Sequence, residues 1–252
     1  MFDALRHKLE LYTRLSRDEH AALDQALSGR VRKFAPRRNV IHEGDPPVHA
    51  YFVMSGWACR YKILEDGRRQ TMAYFLDGDL CDLSLFRQID HSIETITTAR
   101  IAEVPREAMT MLAQRHPRIA SAFHWSALVG EAISREWIVS LGQRTAPERL
   151  AHLFCEIFIR CRCVGLVRER SCPMPLTQTE LAGAVGLSTV HVNRTLQDLR
   201  SSELIILADK RLTVPDFERL QEFAFFNPAY LHIERDGRHL DANDVEAPEL
   251  AL

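Results

Sequence analysis

The chain has 252 residues, of which 46% are hydrophobic and 26% are charged, and its formal net charge is −2. This composition is typical of a globular protein with one large or two ordinary domains. No run approaches the roughly 18 apolar residues of a membrane-spanning helix. The charged N-terminus also lacks the apolar segment of a secretory signal, so we expect a cytoplasmic protein.

Residues 1–28 are predicted to be helical. Ser16 and Glu19 have the spacing of a capping box, in which each side chain bonds the backbone N–H of the other residue. An apolar run at helical spacing follows and ends at Gly29.

Residues 29–116 have a different pattern, in which short alternating runs are separated by glycines at positions 44, 56, 67 and 78. Several short strands at this spacing predict an all-β sandwich or barrel. Asp66-Gly67 is a strong hairpin signal. A last pair of strands is predicted within ETITTARIAEVP, residues 94–105.

A long helix is predicted over residues 117–143. Pro105 and Pro117 suit the first turns of two successive helices. The second helix has apolar residues on more than one side and therefore needs two partners. We expect the same helix of a second subunit to cover one apolar stripe as a coiled coil; the alternative is burial wholly within one chain. The stripe consists of Ile119, Ala122, Val129 and Ile133.

Residues 144–230 are predicted to form a helix-turn-helix domain. Thr177 and Glu180 form a second capping box, Gly186 suits the left-handed end of a helix, and Ser188 suits the start of the next. Together with a small residue at the helix crossing, this spacing predicts a second helix that enters the DNA major groove. The alternative is an ordinary helical hairpin.

The outer face of the second helix carries hydrogen-bonding side chains. Arg194 suits guanine, because its fork reaches O6 and N7, whereas Val190 suits a thymine methyl and Asn193 a phosphate. Residues 204–207 and 211–214 predict a small β-wing. The predicted DNA-binding residues are Thr177, Gln178, Ser188, Thr189, Val190, His191, Asn193 and Arg194.

Charge is distributed unevenly around this domain. The helix-turn-helix is nearly neutral, but arginines precede it at positions 144, 149, 160, 162, 168 and 170. We therefore expect part of the phosphate contacts to come from outside the helix-turn-helix. Residues 231–252 carry six acidic residues and two arginines and are predicted to be a flexible tail.

Two alternatives concern reactive side chains. The six cysteines are expected to be thiols in a reducing compartment, and Cys59 or Cys81 is a redox-switch candidate if its thiolate is stabilised and exposed. A more remote alternative is a cupin-like metalloenzyme using His42, Glu43 and His49, although their spacing differs from the usual two-His-one-carboxylate cluster. We expect no catalytic residues and no metal site.

The order of these units resembles the Crp/Fnr (cyclic-AMP receptor protein/FNR) family of bacterial transcription regulators. The similarity covers residues 31–214 and rests on LTQTELAGAVGLSTVHVNRTLQDLRSSELI (176–205) and WACRYKILEDGRRQ (57–70). It implies an α+β fold with a cyclic-nucleotide-binding-like β-roll (jelly roll), a dimerisation helix and a C-terminal winged helix-turn-helix. It further implies a homodimer on a roughly palindromic double-stranded DNA operator, an effector in the β-roll, and RNA polymerase as a candidate partner.

The effector region departs from the family pattern. Cyclic-AMP binders carry a Gly-Glu-Leu stretch and then an Arg-Ser or Arg-Thr pair, but residues 81–97 read CDLSLFRQIDHSIETIT. A neutral imidazole at His91 is a poor substitute for a guanidinium that pairs with phosphate, so we expect an unknown small-molecule effector other than cyclic AMP. The absence of cysteine before Cys59 argues against the iron–sulfur chemistry of other members. The predicted effector site consists of Gly78, Leu80, Cys81, Asp82, Leu83, His91 and Ser92.

Overall fold

The computed structural model describes residues 3–83 and 87–233, so most of the predicted acidic tail lies outside the described residues. The helices are α1 (Asp3–Leu9), α2 (Arg17–Ser28), α3 (Arg106–Arg115), α4 (Pro117–Gln143), α5 (Ala146–Cys163), α6 (Gln178–Val185), α7 (Thr189–Ser201) and α8 (Phe217–Phe223), and a 3-10 helix covers Pro228–Leu231. None of these helices is long and apolar enough to cross a membrane.

The strands form three antiparallel sheets within a mixed α+β fold, as predicted. They are β1 (Val31–Phe34), β2 (Asn39–Ile41), β3 (His49–Ser55), β4 (Ala58–Ile63), β5 (Arg69–Phe75), β6 (Leu80–Asp82), β7 (Ser92–Thr95), β8 (Ala99–Pro105), β9 (Ser171–Pro173), β10 (Ile206–Ala208) and β11 (Arg211–Thr213). The first two sheets have the orders β1-β8-β3-β6 and β2-β7-β4-β5. They enclose a core that includes Phe34, Ile41, Val53, Ile93 and Ile101.

The turns of this β-roll follow the predicted glycines. Gly67 has φ +86° in the β4–β5 hairpin, which confirms the Asp66-Gly67 signal. At Gly56 the backbone has φ +92°, and an added Cβ would lie 2.4 Å from the carbonyl oxygen of Thr98. Glycine is required there for its conformation and for its lack of a side chain.

The final strands differ from the prediction in their pairing. β7 pairs with β2 and β4, whereas β8 pairs with β1 and β3, so the two strands belong to opposite sheets. Pro105 is the last residue of β8 and precedes α3, instead of lying in the first turn of that helix.

The N-terminal helices cover one side of the β-roll. The predicted Ser16–Glu19 capping box starts α2, with the Glu19 N–H donating to Ser16 Oγ at 3.2 Å. Leu5 and Leu23 pack in one core cluster with Phe52 of β3 and Phe123 of α4. The N-terminal helices therefore bury much of the first half of the long helix.

This burial corrects the predicted dimerisation stripe. Ile119 and Ala122 are fully buried inside their own chain, Val129 is buried, and Ile133 packs half-buried against the C-terminal core. The stripe is therefore a core face, which is the single-chain alternative. The large apolar side chains of α4 that are exposed are instead Leu128, Ile138 and Val139.

The C-terminal domain is built around α5, whose residues from Leu150 to Cys161 are all buried. β10 and β11 form the predicted wing, and β9, which lies in a segment without a strand signal, adds a third strand to it. The same core cluster includes Trp57, Tyr61 and Tyr74 of the β-roll. The C-terminal domain thus packs directly on the sheet that contains β4 and β5.

Candidate DNA interface and ligand cavity

The helix-turn-helix is fixed by local capping bonds. Thr177 Oγ accepts the Glu180 N–H at 3.2 Å, while Glu180 Oε2 accepts the Thr177 N–H at 2.6 Å. Gly186 ends α6 with φ +65°, and Ser188 Oγ accepts the His191 N–H at 3.2 Å at the start of α7. Each cap predicted from the sequence is therefore formed.

The inner and outer faces of α7 are clearly separated. Val192, Leu196 and Leu199 are buried against the domain core. Thr189, Val190, Asn193 and Arg194 are exposed, and Val190 is 81% exposed although it is apolar. This outer face has the mixture of charged, amide, hydroxyl and methyl groups that reads base edges in a major groove.

The remaining predicted DNA-binding residues adjoin this face. Gln178 at the start of α6 accepts a hydrogen bond from Asn193 Nδ2 at 3.2 Å, which ties the two helices together on the outside. Thr177 and Ser188 use their hydroxyls as helix caps, and His191 is only partly exposed. Arg194 is exposed and carries the one guanidinium among the eight predicted DNA-binding residues.

Part of the predicted arginine cluster has a structural role instead. Arg160 is 8% exposed and pairs with Asp79 of the β5–β6 turn and with Glu156, each at 3.0 Å. Arg144 pairs with Glu136 at 2.7 Å. Arg149 donates to the carbonyl groups of Val185, Leu141 and Arg144. The exposed arginines of this cluster are Arg162, Arg168 and Arg170.

A cavity of about 450 Å³ lies between the β-roll and the long helix. Its walls come from β4 and β5, from the segment around β6 and residue 91, and from the C-terminal half of α4. The lining residues are Arg60, Lys62, Gln70, Thr71, Met72, Asp82, Asp90, His91, Ser134, Trp137, Ile138 and Leu141. Its volume lies within the range of small-molecule sites.

Only two of the seven predicted effector residues line this cavity. Asp82 and His91 do so, with 3.1 Å between Asp82 Oδ2 and His91 Nε2. The other residues lie elsewhere. Gly78 lies against α1, where an added Cβ would meet the backbone, and Cys81 lies in the β-roll core. Leu80 and Leu83 pack against the core cluster that contains the N-terminal helices. The Ser92 hydroxyl accepts the Glu43 N–H.

The prediction missed the cationic wall of the cavity. Arg60 and Lys62 alternate along β4 with Cys59 and Tyr61, which belong to the core shared with the C-terminal domain. Side chains alternate between the two faces of a sheet. The sequence CRYKI therefore indicates that Arg60 and Lys62 share one face of the strand, opposite Cys59 and Tyr61. Ser134 and Ile138 were hidden because they lie far away in the sequence.

The cysteines proposed as redox switches are buried. Cys59 is 2% exposed, and burial raises the pKa of its thiol to about 11, despite a hydrogen bond from Arg69 Nη2 at 3.2 Å. Burial also raises the pKa of Cys81 well above its ordinary value. A reactive thiolate needs the opposite environment, so this conformation does not favour either switch.

The remote metalloenzyme alternative has no geometric basis. Within residues 3–83 and 87–233, no three His, Cys, Asp or Glu side chains are arranged to hold a metal ion. His42 contacts Asp45, with 3.6 Å between Nδ1 and Oδ2, and Glu43 contacts Lys62.

The β-roll fold and the exposed face of the helix-turn-helix define the class of DNA-binding regulators. Residues 31–116 match the model of the cyclic nucleotide-binding domain, and residues 148–223 match that of the Crp-like helix-turn-helix domain. The chain belongs to the Crp/Fnr family of transcription regulators, so it is a DNA-binding regulator and not an enzyme.

Named relatives agree with this assignment. The chain is 29% identical over 225 residues to the transcriptional activator protein FnrL of Cereibacter sphaeroides, covering 87% of this chain and 89% of that protein. It is 25% identical over 197 residues to the nitrogen fixation regulation protein FixK of Bradyrhizobium diazoefficiens, covering 78% and 82%. The solved structure of FixK2 from Bradyrhizobium japonicum has the same fold, with a TM-score of 0.70 and 22% identity over 77% of this chain and 96% of that chain.

Proposed function

We propose that the chain is a cytoplasmic, homodimeric regulator that reads a roughly palindromic operator through α7 and responds to a small-molecule signal in the β-roll cavity. The exposed polar face of α7, on a fully capped helix-turn-helix, carries the DNA-binding part of this proposal. Arg194 reads guanine, Val190 touches a thymine methyl, and Asn193 holds a phosphate. RNA polymerase is a candidate partner of the DNA-bound protein.

The second subunit is proposed to pack on the exposed side of α4. Leu128, Ile138 and Val139 recur at intervals that place them along one side of a helix, and Glu131 and Arg135 form an i,i+4 ion pair on that side. Exposed apolar side chains that group on one side of a helix mark an interaction surface. A two-fold contact between two copies of α4 would cover them.

The signal has two routes from the cavity to the DNA-binding domain. The first is α4, which lines the cavity with Ser134 and Ile138 and leads directly to α5. The second is β5, because Tyr74 Oη donates to the Glu180 carbonyl at 2.8 Å and Gln70 Nε2 donates to the Ala184 carbonyl at 3.2 Å. Both acceptors are backbone atoms of α6, so a shift of β5 moves the helix-turn-helix.

DNA reading is tested with an operator selected from a random-sequence library and a scrambled duplex of equal length. Binding is followed by fluorescence anisotropy at one fixed salt concentration, because phosphate contacts depend strongly on salt. We expect Arg194→Ala to weaken operator binding by about tenfold or more, as the loss of a bidentate guanine contact implies, with less effect on the scrambled duplex. Equal losses on both duplexes would show a phosphate contact instead.

The control for this variant is Arg68→Ala. Arg68 is 76% exposed at the tip of the β4–β5 hairpin and pairs with Asp66 at 2.7 Å. The Arg68→Ala substitution therefore removes the same charge as Arg194→Ala, but from the other domain. It should leave operator binding unchanged. Loss of binding in both variants would point to net charge as the cause and contradict base reading by Arg194.

Dimerisation is tested by native mass spectrometry. The wild-type protein should be a dimer at micromolar concentration, and Val139→Glu should give monomers because it places a charge on the proposed contact at a residue that does not line the cavity. Met111→Glu is the control, since Met111 is an exposed apolar residue on α3. A monomeric wild-type protein, or a dimeric Val139→Glu variant, would contradict the proposed dimer face.

A further inference from the structure

We propose that the C-terminal strap, residues 224–233, fixes the angle between the long helix and the DNA-binding domain, with Tyr230 as the positioning residue that anchors it. The strap lies beyond residues 148–223, which match the helix-turn-helix model. The inference rests on the proposed homodimer on a palindromic operator, because two recognition helices bind one duplex only at a fixed separation.

The covalent link between the two domains is short. α4 ends at Gln143 and α5 begins at Ala146, so Arg144 and Thr145 are the two residues between the helices. Residues at the ends of helices can absorb large changes in backbone dihedrals. The angle between α4 and α5 therefore depends on the contacts that hold the two helices. The hydrogen bonds between β5 and α6 supply one set of contacts, and the strap supplies a second.

The strap runs antiparallel to the middle of α4. At one end, the Phe225 carbonyl accepts a hydrogen bond from Arg144 Nη2 at 3.4 Å, and the same nitrogen lies 2.7 Å from Glu136 Oε1 of α4. At the other end, the centre of the His232 ring is 6.1 Å from that of Trp125. Trp125 precedes Glu136 by about three turns of helix, so the strap follows α4 for about 16 Å.

The strap also packs on α5. Phe226 is 4% exposed, and the centre of its ring lies 5.0 Å from that of His152 of α5. The Tyr230 ring stacks on the same imidazole at 6.0 Å. Leu231 is buried in the core cluster that contains α5. The strap thus contacts both helices, and a change in the angle between them must break one of the two sets of contacts.

A buried carboxylate joins the strap to both helices. Glu156 of α5 is 0% exposed, and its Oε2 accepts hydrogen bonds from Tyr230 Oη at 3.0 Å and from Trp137 Nε1 of α4 at 2.9 Å. Its Oε1 accepts Arg160 Nη1 at 3.0 Å. Burial and the neighbouring Glu156 raise the pKa of Tyr230 above its ordinary value, so the phenol keeps its proton and donates. The Tyr230 hydroxyl is therefore the anchor of the strap.

A fixed angle between the domains favours binding to a palindrome. The two recognition helices of a dimer enter major grooves about 34–36 Å apart. Ordering a mobile domain on binding costs affinity, and a pre-organised domain avoids that cost. Loss of the strap should therefore weaken binding to a full operator. Binding to a half-site should change little, because it needs one helix-turn-helix and none of the predicted DNA-binding residues lies in the strap.

The test compares the selected operator with a half-site duplex of equal length, in which one half of the operator is scrambled. Binding of the full-length protein is followed by fluorescence anisotropy at one fixed salt concentration. Tyr230→Ala should weaken binding to the full operator by about tenfold or more, since the domain must then be ordered on binding. Tyr230→Phe loses one hydrogen bond and keeps the ring, so we expect a smaller loss of about threefold.

Tyr61→Phe is the matched control. The Tyr61 hydroxyl donates to Asn39 Oδ1 at 3.0 Å within the β-roll, so this variant also loses one tyrosine hydrogen bond but leaves the strap intact. It should bind both duplexes like the wild type. Thermal melting shows whether each variant is folded, and Tyr230→Phe keeps the test decisive if Tyr230→Ala is not.

A second measurement reports the angle without DNA. Spin labels are introduced as genetically encoded amino acids at the exposed positions Glu107 of α3 and Ser201 of α7, and labelled subunits are diluted with unlabelled ones. Electron–electron double resonance then gives the distribution of distances between the two domains of one chain. The distribution should be narrow in the wild type and in Tyr61→Phe, and broader in Tyr230→Ala.

Three results would contradict the inference: equal losses on the full operator and the half-site, tighter operator binding by folded Tyr230→Ala, or an unchanged distance distribution in that variant. The two measurements keep the inference separate from the proposed function. If the wild type binds its operator as a dimer and the distances do not change, the role of the strap alone is wrong. If the wild type selects no palindromic operator, the proposed function fails, while the distance measurement still tests the strap.

Discussion

The ion pair between Asp79 and Arg160 offers a direct test of how the two domains are joined. The Asp79 carboxylate contacts Lys8 of α1, accepts the Leu76 N–H at 2.6 Å, and pairs with Arg160 of α5 at 3.0 Å. One side chain thus links the N-terminal helices, the β-roll and the DNA-binding domain. Burial alone would raise the pKa of Asp79, but Lys8 and Arg160 together hold it below its ordinary value.

The expected effect of Asp79→Asn follows from this burial. Removing one partner of a buried ion pair costs about 3–5 kcal/mol, because the remaining charge stays in a poorly solvated position. Asparagine keeps an acceptor for the Leu76 N–H, so we expect the lower end of that range. For a chain of this size, about 3 kcal/mol corresponds to a decrease in Tm of roughly 6–12 °C.

The assay is thermal unfolding at pH 7, followed by circular dichroism and calorimetry. Asp66→Asn is the matched control, because Asp66 pairs with Arg68 in an exposed hairpin, where such pairs contribute about 0–1 kcal/mol. Asp79→Asn combined with Arg160→Gln should destabilise the protein by less than the sum of the single variants. A decrease in Tm for Asp79→Asn no larger than that for Asp66→Asn would refute the reasoning.

The same carboxylate gives a pH dependence with a defined sign. Since the folded pKa of Asp79 is lowered, its stabilisation is fully present above the unfolded value of about 3.9. It is lost as the pH falls through the lower folded value. The unfolding free energy of the wild type should therefore exceed that of Asp79→Asn at neutral pH. This difference should shrink as the pH falls to the acid end of the range.

Three further predictions concern single buried or constrained positions. Burial lowers the pKa of His152 to about 3, so the wild type should lose about 2 kcal/mol of unfolding free energy between pH 7 and pH 5 from this group alone. Urea melts at both pH values should show a smaller loss in His152→Gln, and equal losses would contradict a neutral buried imidazole. Thiol labelling of the native protein at pH 8 should modify the half-buried Cys163 before Cys59, and early labelling of Cys59 would restore the redox alternative. Gly67→Ala should cost about 1–2 kcal/mol, the strain of a left-handed backbone. Gly56→Ala should destabilise the protein by more than this, because the Cβ added at Gly56 meets a backbone oxygen and the Cβ added at Gly67 does not. Equal decreases in Tm for the two variants would contradict the steric argument.

The helix-turn-helix could be predicted almost residue by residue because its signals are local. Capping side chains bond backbone groups three residues away, and a left-handed turn selects glycine, so the sequence around Thr177, Gly186 and Ser188 contains the required information. The strand-turn pattern of the β-roll was readable for the same reason. The distribution of β7 and β8 between two sheets was not, because strand pairing depends on contacts that are distant in the sequence.

The long helix shows the limit of periodicity. A stripe such as Ile119, Ala122, Val129 and Ile133 indicates that one side of a helix is buried, but it does not identify what buries it. The N-terminal helices and the β-roll occupy the first half of that stripe, and the exposed side carries Leu128 and Ile138. The cavity was missed in part for a similar reason, since its cationic wall on β4 and its apolar wall on α4 lie far apart in the sequence.

The β4–β5 hairpin connects these observations. One face carries Arg60 and Lys62 at the cavity, and the other carries Cys59, Tyr61 and Tyr74 in the core shared with the DNA-binding domain. The hairpin therefore separates the cavity from the core of the DNA-binding domain by the thickness of a single sheet. At Gly183 of α6 an added Cβ would lie 3.4 Å from Thr71 Oγ1, so the helix and the sheet are already in close contact. A packed interior transmits small displacements. A ligand that draws Arg60 towards the cavity would therefore move the sheet on which α6 rests. The long helix need not be the only path from the cavity to the DNA-binding surface.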